Sequence, residues 1–324
     1  MSEKALAIEV RDLKKSYSDD VQALDGISFD VPAGTVFGLL GPNGAGKSTT
    51  IKILTTLTRP DAGTAKITGV DVVARPGKVR HAIGCVAQQS GVDPAATGRE
   101  NLLLQGRLYG LRGNALKSRV DELLDRFDLV KPAGQLAKTY SGGMRRKLDV
   151  AMGLVHRPKV LFLDEPTTGL DPEARSELWQ EIVKLAGEGV TVILTTHYLE
   201  EADELARDLV ILDQGRIVAQ GSPAQLKNEL HGDAIQVELA EAFPPDAVQA
   251  ALADLEGVRD VVTSERRVSA RVDHGASAAP AVLSSLETAG LRVVSVTLSA
   301  PTLDDVYLRH AGRTFRSAHE EASR

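Results

Sequence analysis

Residues 41–48 read Gly41-Pro42-Asn43-Gly44-Ala45-Gly46-Lys47-Ser48, a GxxxxGK[ST] pattern whose chemistry is the binding of phosphate. Its glycines let backbone N–H groups turn inward around phosphate oxygens, and a helix beginning there aims its positive end at them. Lys47 would contact the β and γ phosphates of a nucleoside triphosphate. Ser48 would ligate Mg²⁺ through its hydroxyl, and Thr49 is a neighbouring phosphate-contact candidate. A plain glycine-rich turn would have the same letters, but at average glycine use of about 7% the bare pattern arises by chance in a chain of this length roughly once in a hundred. Placement between a strand and a helix lowers that further.

A second group of residues completes the chemistry. Val160-Leu161-Phe162-Leu163 is a continuous apolar run, as a strand buried on both faces should be, and it ends in Asp164-Glu165. Carboxylates at the carboxyl end of a central strand lie in the crevice where α/β folds bind ligands. Asp164 suits the Mg²⁺ sphere, directly or through water, and Glu165 suits polarisation of an attacking water. An apolar run followed by two acids is commonplace alone; together with the phosphate loop it reads as a hydrolytic site.

The elements around these residues must form an α/β layer. Thr35–Leu40 reads as a strand, and Gly46 to about Thr55 as the helix after the loop. Val190–Thr195 reads as another strand, with the amphipathic stretch Pro172–Ala186 as the crossover between it and Val160–Leu163, which implies a mostly parallel sheet. Between Arg99 and Leu136 the pattern turns helical, with Leu102, Leu103, Leu104, Leu108, Val120, Leu123, Leu124 and Phe127 at helical spacings.

Beyond about Lys227 a new composition begins, richer in Ala and Val and without a phosphate motif. Its elements read as strand Ala234–Leu239, helix Pro245–Leu255, strands Val258–Thr263 and Arg267–Val272, helix Ser277–Ala289 and strand Leu291–Leu298. That order, βαββαβ, is the split arrangement of a ferredoxin-like sandwich. Asp304–Gly312 reads as a closing helix. Asp304, Asp305 and His310 there are read as a solvated helix face in preference to a metal site.

Whole-chain properties bound the class. At 324 residues the chain exceeds one ordinary domain, and 43% hydrophobic with 25% charged residues is the mixture of a globular protein with a substantial core. A net charge of −6 gives no reason to expect an electrostatic grip on nucleic acid. Cys85 is the single cysteine, which excludes an internal disulfide and suits a reducing compartment; it reads as a small buried residue in an apolar stretch. Met1–Val10 does not read as a secretory signal, and no apolar run approaches the roughly 20 residues of a membrane helix.

Together with Tyr140-Ser141-Gly142-Gly143-Met144 ahead of a helix and about 20 residues before Asp164, these motifs resemble the nucleotide-binding domains of ABC transporters over about residues 5–225. The resemblance implies a P-loop NTPase fold with a helical subdomain, ATP and Mg²⁺ as cofactors, and further site residues by position. Tyr17 stands where an aromatic ring stacks on adenine, or is an ordinary strand-edge tyrosine. Gln88 stands where a glutamine joins the Mg²⁺ site to the helical subdomain, with Gln89 next to it as the other choice. Asp171 stands where an aspartate communicates across a dimer and, before Pro172, can also cap a helix. His197 stands where a histidine contacts the γ phosphate. Met144 and Tyr140 depart from the family's commonest glutamine and leucine.

In that family the site is divided between subunits: ATP held by Lys47, Ser48 and Asp164 of one copy is covered by Ser141 and Gly143 of another. With one phosphate loop and one such triplet, the chain is expected to pair with a second copy or a similar subunit. Within the family, Thr195-Thr196-His197-Tyr198-Leu199-Glu200-Glu201-Ala202-Asp203, the small C-terminal domain, and Pro301-Thr302-Leu303-Asp304-Asp305-Val306-Tyr307-Leu308 look most similar to the daunorubicin-resistance type. That resemblance implies an exporter of hydrophobic drugs or lipid-like compounds, with an integral membrane permease on a separate chain and the ATPase peripheral on the cytoplasmic face of the membrane. An importer ATPase with a regulatory C-terminal domain, or an ABC ATPase outside transport, are the other readings. The expected division is 1–228 for the ATPase domain, with its helical subdomain at about 90–155, then 229–313 for the accessory domain and 314–324 for a flexible tail.

Overall fold

The computed structural model describes residues 5–18, 21–230, 232–253, 255–273, 275–312 and 315. The chain divides into two compact units, one running to Pro223 and one spanning Ala224–Phe315. The first begins with β1 (Leu6–Ser18), β2 (Val21–Pro32), β3 (Val36–Leu40), α1 (Lys47–Leu54), β4 (Ala62–Ile67), β5 (Val70–Asp71), α2 (Pro76–Ala82) and β6 (Ile83–Val86). It continues through α3 (Gly98–Leu108), α4 (Gly113–Arg126), α5 (Gly142–Leu154), β7 (Val160–Asp164), α6 (Pro172–Gly187), β8 (Thr191–Thr196), α7 (Leu199–Leu205), β9 (Asp208–Asp213) and β10 (Arg216–Gly221).

Six of these strands form one sheet in the order β10-β9-β3-β8-β7-β6, parallel except for β10 at the edge. The mostly parallel sheet inferred from the apolar runs is therefore present. Side chains alternate across a strand, and here the alternation feeds two cores. Val36, Leu161, Leu163, Val192 and Leu194 pack on one face with α3 to α6. Phe37, Leu39, Val160, Phe162 and Ile193 pack on the other with α1, β1, β2 and β4. Burying both faces explains why β3, β7 and β8 lack polar alternation.

The second sheet, β2-β1-β4-β5, is antiparallel, and the sequence reading did not assign it. Its longest strand carries Arg11, Asp12, Lys14 and Lys15, with register shifts between Val10 and Lys14 and a positive φ of 46° at Asp12. Those bulges interrupt the apolar alternation of Ile8, Val10 and Leu13, all buried.

The helical subdomain starts from a capping box. Thr97 Oγ1 accepts from Glu100 N at 3.2 Å while Glu100 Oε2 accepts from Thr97 N at 2.8 Å, satisfying two N-terminal donors. Leu102, Val120, Leu123, Leu124 and Phe127 are buried as the spacing requires, but Leu104 and Leu108, one turn apart, are exposed on the other face of α3. Cys85, expected to be buried, is exposed on the edge strand β6.

The second unit begins within α8 (Pro223–Asn228), at Ala224. It contains β11 (Asp233–Leu239), α9 (Pro245–Leu252), β12 (Val258–Ser264), β13 (Arg267–Val272), α10 (Gly275–Thr288), β14 (Val293–Ser299) and α11 (Leu303–Ala311). The sheet order is β12-β13-β11-β14, with every neighbour antiparallel. This is the βαββαβ sandwich, its core made by Ile235, Val237, Val248, Leu252, Val268, Val272, Val282 and Leu286.

Asp305 on α11 is not on the solvated helix face expected for it. It is 8% exposed, accepts from Thr302 N at 2.9 Å in a capping box, and pairs with buried Arg271 at 3.0 Å. The tail expected at 314–324 lies outside the described residues except for Phe315. No helix among the described residues is long and apolar enough to cross a membrane.

Candidate active site

The carboxyl ends of four neighbouring strands, β3, β8, β7 and β6, each lead into one piece of the candidate site. Register fixes their depth: Leu40 lies opposite Thr196, Asp164 opposite Thr195, and Val86 opposite Leu163. The phosphate loop, His197, the Asp164-Glu165 pair and Gln88 therefore emerge on one edge, which is where open α/β sheets bind ligands.

The loop from β3 to α1 needs its glycines. Gly46 has φ 108°, and a Cβ there would lie 2.7 Å from Ala23 O; Gly41 has φ 152°, and a Cβ there would lie 2.4 Å from Leu212 O. A side chain at either position would be strained in dihedral and in space. Lys47 opens α1 and is 6% exposed, with Nζ donating to Gly41 O at 2.6 Å and Pro42 O at 3.0 Å. Ala45, Thr49 and Pro42 are buried beneath the loop, while Asn43, Gly44 and Ser48 are exposed along it.

Glu165 is held in an unusual backbone conformation at φ 45°. For a non-glycine residue that region costs on the order of 1 kcal/mol or more and persists where the surroundings impose it. Here its N–H donates to Thr195 O at 3.1 Å and to Thr195 Oγ1 at 3.1 Å. The carboxylate is then oriented from both sides: Gln88 Nε2 donates to Oε2 at 3.0 Å, Thr168 Oγ1 donates to Oε2 at 3.3 Å, and His197 Nδ1 lies 3.1 Å from Oε1. It is Gln88, and not Gln89, that makes the bond.

Electrostatics couple these groups. The hydrogen bond with His197 is the main influence holding the Glu165 carboxyl below the usual carboxylate range; burial opposes it, and the charges of His197 and Lys47 add to the lowering. Burial pushes the Lys47 ammonium down, offset by Glu165 and then Asp164. A buried cation facing two carboxylates is what keeps both signs of charge in a partly dry site.

Ser141, Asp171, Gly142 and Gly143 form a second group. Ser141 caps α5, with Oγ accepting from Met144 N at 3.2 Å, and Asp171 caps α6, with Oδ1 accepting from Ala174 N at 2.8 Å. The capping role weighed for Asp171 is thus realised. Gly143 is where the two helix starts meet, because a Cβ there would lie 2.9 Å from Ala174 Cβ. Tyr17 on β1 is 53% exposed, with Lys15 Nζ 5.6 Å from its ring centroid.

Two residues that sequence reasoning passed over shape the site. Thr195, fully buried, donates its hydroxyl to Asp164 Oδ1 and accepts from Glu165 N. Its signal was a Thr-Thr pair closing an otherwise apolar strand. Arg146, 8% exposed, donates Nε to Pro166 O at 2.7 Å, one guanidinium nitrogen to Ala87 O at 2.8 Å and the other to Asp164 O at 2.9 Å. Its signal was an arginine in the buried phase of α5, beside Asp149.

The donor set fits a hard cation at a nucleotide. Asp164 and Ser48 offer a carboxylate and a hydroxyl oxygen, and no cluster of three or more His, Cys, Asp or Glu that could hold a metal occurs among the described residues. Mg²⁺ at phosphates is bound in that way, through one or two protein ligands plus the nucleotide.

Comparison with known proteins agrees with this geometry. The ABC transporter family model matches residues 24–168, and that of the C-terminal domain of DrrA1-3-like ATP-binding proteins matches residues 221–311. The daunorubicin resistance ATP-binding protein DrrA3 of Streptomyces coeruleorubidus is 47% identical over 94% of this chain and 96% of its own. The cbiO1 protein of Clostridium perfringens, described as part of an ABC transporter complex, superposes with a TM-score of 0.64 at 27% identity, over 78% of this chain and 96% of its own. An ATP-binding cassette solved as a dimer in a post-hydrolysis state with ADP and phosphate has a TM-score of 0.61 at 25% identity, over 66% of this chain and 98% of its own. On the two family models and the 47% identity over nearly the whole chain, the chain belongs to the ATP-binding ATPase subunits of the ABC transporter family, in the daunorubicin-resistance group.

Proposed function

We propose that two copies of this chain, or one copy and a similar subunit, share each ATP site, and that closure around ATP drives efflux of hydrophobic drugs or lipid-like compounds through a permease on a separate chain. The observation that carries the reading is the separation of the site into two groups. Lys47, Glu165, Gln88 and His197 are joined by contacts or charge at the strand ends, whereas Ser141 and Gly143 stand at the start of α5 against α6. In the shared-site reading the Ser141-Gly142-Gly143 turn covers the ATP of a partner.

Within one copy, the loop amides and Lys47 Nζ bind the phosphates, with Lys47 exchanging its bonds to Gly41 O and Pro42 O for phosphate oxygens. Tyr17 stacks on the adenine. Glu165, ionised at neutral pH, orients the attacking water and polarises it by accepting its hydrogen bond, while His197 contacts the γ phosphate. Ser48, Asp164 and Gln88 would hold Mg²⁺, which would neutralise phosphate charge there. Loss of the γ phosphate removes what joins the two copies, so hydrolysis releases closure. The relatives' resistance to daunorubicin supports the choice of a hydrophobic drug as cargo, and the ATPase is placed on the cytoplasmic face of the membrane through its permease.

Mixing two inactive variants tests the shared site. K47A destroys the phosphate loop and S141A the covering turn, so each alone is expected to hydrolyse little ATP. In a mixture, the S141A copy's phosphate loop meets the K47A copy's intact turn, and hydrolysis reappears. No recovery at any mixing ratio would overturn the shared-site reading.

A further inference from the structure

The three carbonyls that Arg146 holds all flank catalytic positions. Ala87 O precedes Gln88, Asp164 O precedes Glu165, and Pro166 O follows it. Two segments of chain far apart in sequence, at Ala87 and at Asp164–Pro166, are thus tied to one planar fork, whose fixed geometry suits simultaneous donation to several oxygens. Three residues along the same helix, Asp149 Oδ1 accepts from Gly91 N at 2.9 Å. Residues i and i+3 share a helix face. The 87–91 segment that contains Gln88 is therefore gripped at both ends by α5, by Arg146 at Ala87 and by Asp149 at Gly91. Both side chains are buried, at 8% and 6% exposure.

The helix that makes this grip is the one Ser141 caps. We propose that Arg146 is a positioning residue for ATP hydrolysis, and that with Asp149 it makes α5 a rigid link from the Ser141-Gly142-Gly143 turn to Gln88 and Glu165 of the same chain. The inference rests on the shared-site reading. Under it, a copy's turn engages its partner's ATP, and any shift of α5 on that engagement is delivered through Arg146 to the copy's own catalytic loop. The bonds of Arg146 go to Ala87, Asp164 and Pro166 and that of Asp149 to Gly91, none of them in the phosphate loop, so binding of ATP is expected to be largely kept when they are replaced.

The test uses full-length R146M, R146K and D149A chains, with Q88A and the Q88A/R146M double variant, in steady-state ATPase and fluorescent ATP-analogue binding. A misplacement of catalytic groups by a fraction of an ångström predicts a fall in kcat of about tenfold to a hundredfold for R146M, with KM and analogue Kd within about twofold of wild type. R146K, which keeps the charge and part of the donation, recovers a portion of the rate, and D149A lowers kcat in the same way as R146M. If Arg146 acts through Gln88, the double variant is no slower than about the slower single. An unchanged kcat in R146M, or in D149A should R146M not fold, would overturn the proposal. So would a double variant whose losses multiply, or a rise in Kd matching the fall in kcat. A wild-type chain that binds ATP without hydrolysing it would count instead against the hydrolytic reading itself.

Discussion

Gln88 Nε2 donates to Glu165 Oε2 at 3.0 Å across 77 residues of sequence. The bond ties the loop after β6 to the carboxylate after β7, and it means that Glu165 is oriented by the helical side of the molecule as well as by its own strand. Q88A is expected to lower kcat by about tenfold with little change in KM, because an orienting contact is lost while the phosphate grip stays. Steady-state kinetics check it; a rise in KM at constant kcat would assign Gln88 to ground-state binding.

Glu165 should titrate below its usual 4.5, since the His197 hydrogen bond lowers it more than burial raises it. A carboxylate depressed in the folded state adds stability that is present above its unfolded value and lost as pH falls through the folded one. H197A removes the main lowering influence, leaving burial to act, and the Glu165 midpoint should rise. Carbon-13 titration of the Glu165 carboxyl in both proteins measures it directly. Equal midpoints would show that His197 does not hold the carboxylate.

Thr195→Val keeps the shape of a fully buried side chain and deletes its hydroxyl contacts, among them those to Asp164 and to the Glu165 amide. Leaving a buried group unsatisfied costs about 1–3 kcal/mol. For a domain of this size each kcal/mol lowers Tm by about 2–4 °C. Thermal unfolding should show that loss together with a lower kcat, because the strained backbone at Glu165 loses a restraint; an unchanged Tm would contradict the contact.

Asp305→Ala should destabilise the second unit by about 3 kcal/mol, since it strands Arg271 in the interior and removes the carboxylate half of the α11 capping box. Protection of the β13 and α11 amides from hydrogen exchange reports it. Retained protection in D305A would mean that Arg271 finds another partner.

The parts of the fold visible in the sequence were those in which one physical rule dominates. The β3, β7 and β8 strands are buried on both faces, so unbroken apolar runs announce them. The βαββαβ order of the second unit followed from clean alternation between turn residues. The antiparallel sheet was hidden because β1 spends its bulges on Arg11, Asp12, Lys14 and Lys15, which break the period. In the site, Lys47, Asp164 and Glu165 were legible from motif and strand end. Thr195 and Arg146 were not, because their work is on backbone groups brought near by the sheet register and by the packing of α5, which no local spacing encodes. Cys85 was misread because nothing in Ile83-Gly84-Cys85-Val86 says that the strand lies at the sheet edge.

The most direct test of the account is the association state of full-length E165Q, measured by size-exclusion chromatography with and without ATP and Mg²⁺. Glutamine keeps the shape of Glu165 and removes the charge that serves hydrolysis, so ATP should persist between the copies. The account predicts a monomer without nucleotide and a dimer with ATP and Mg²⁺; a monomer under both conditions, or a dimer indifferent to ATP, would contradict the sharing of the site between two chains.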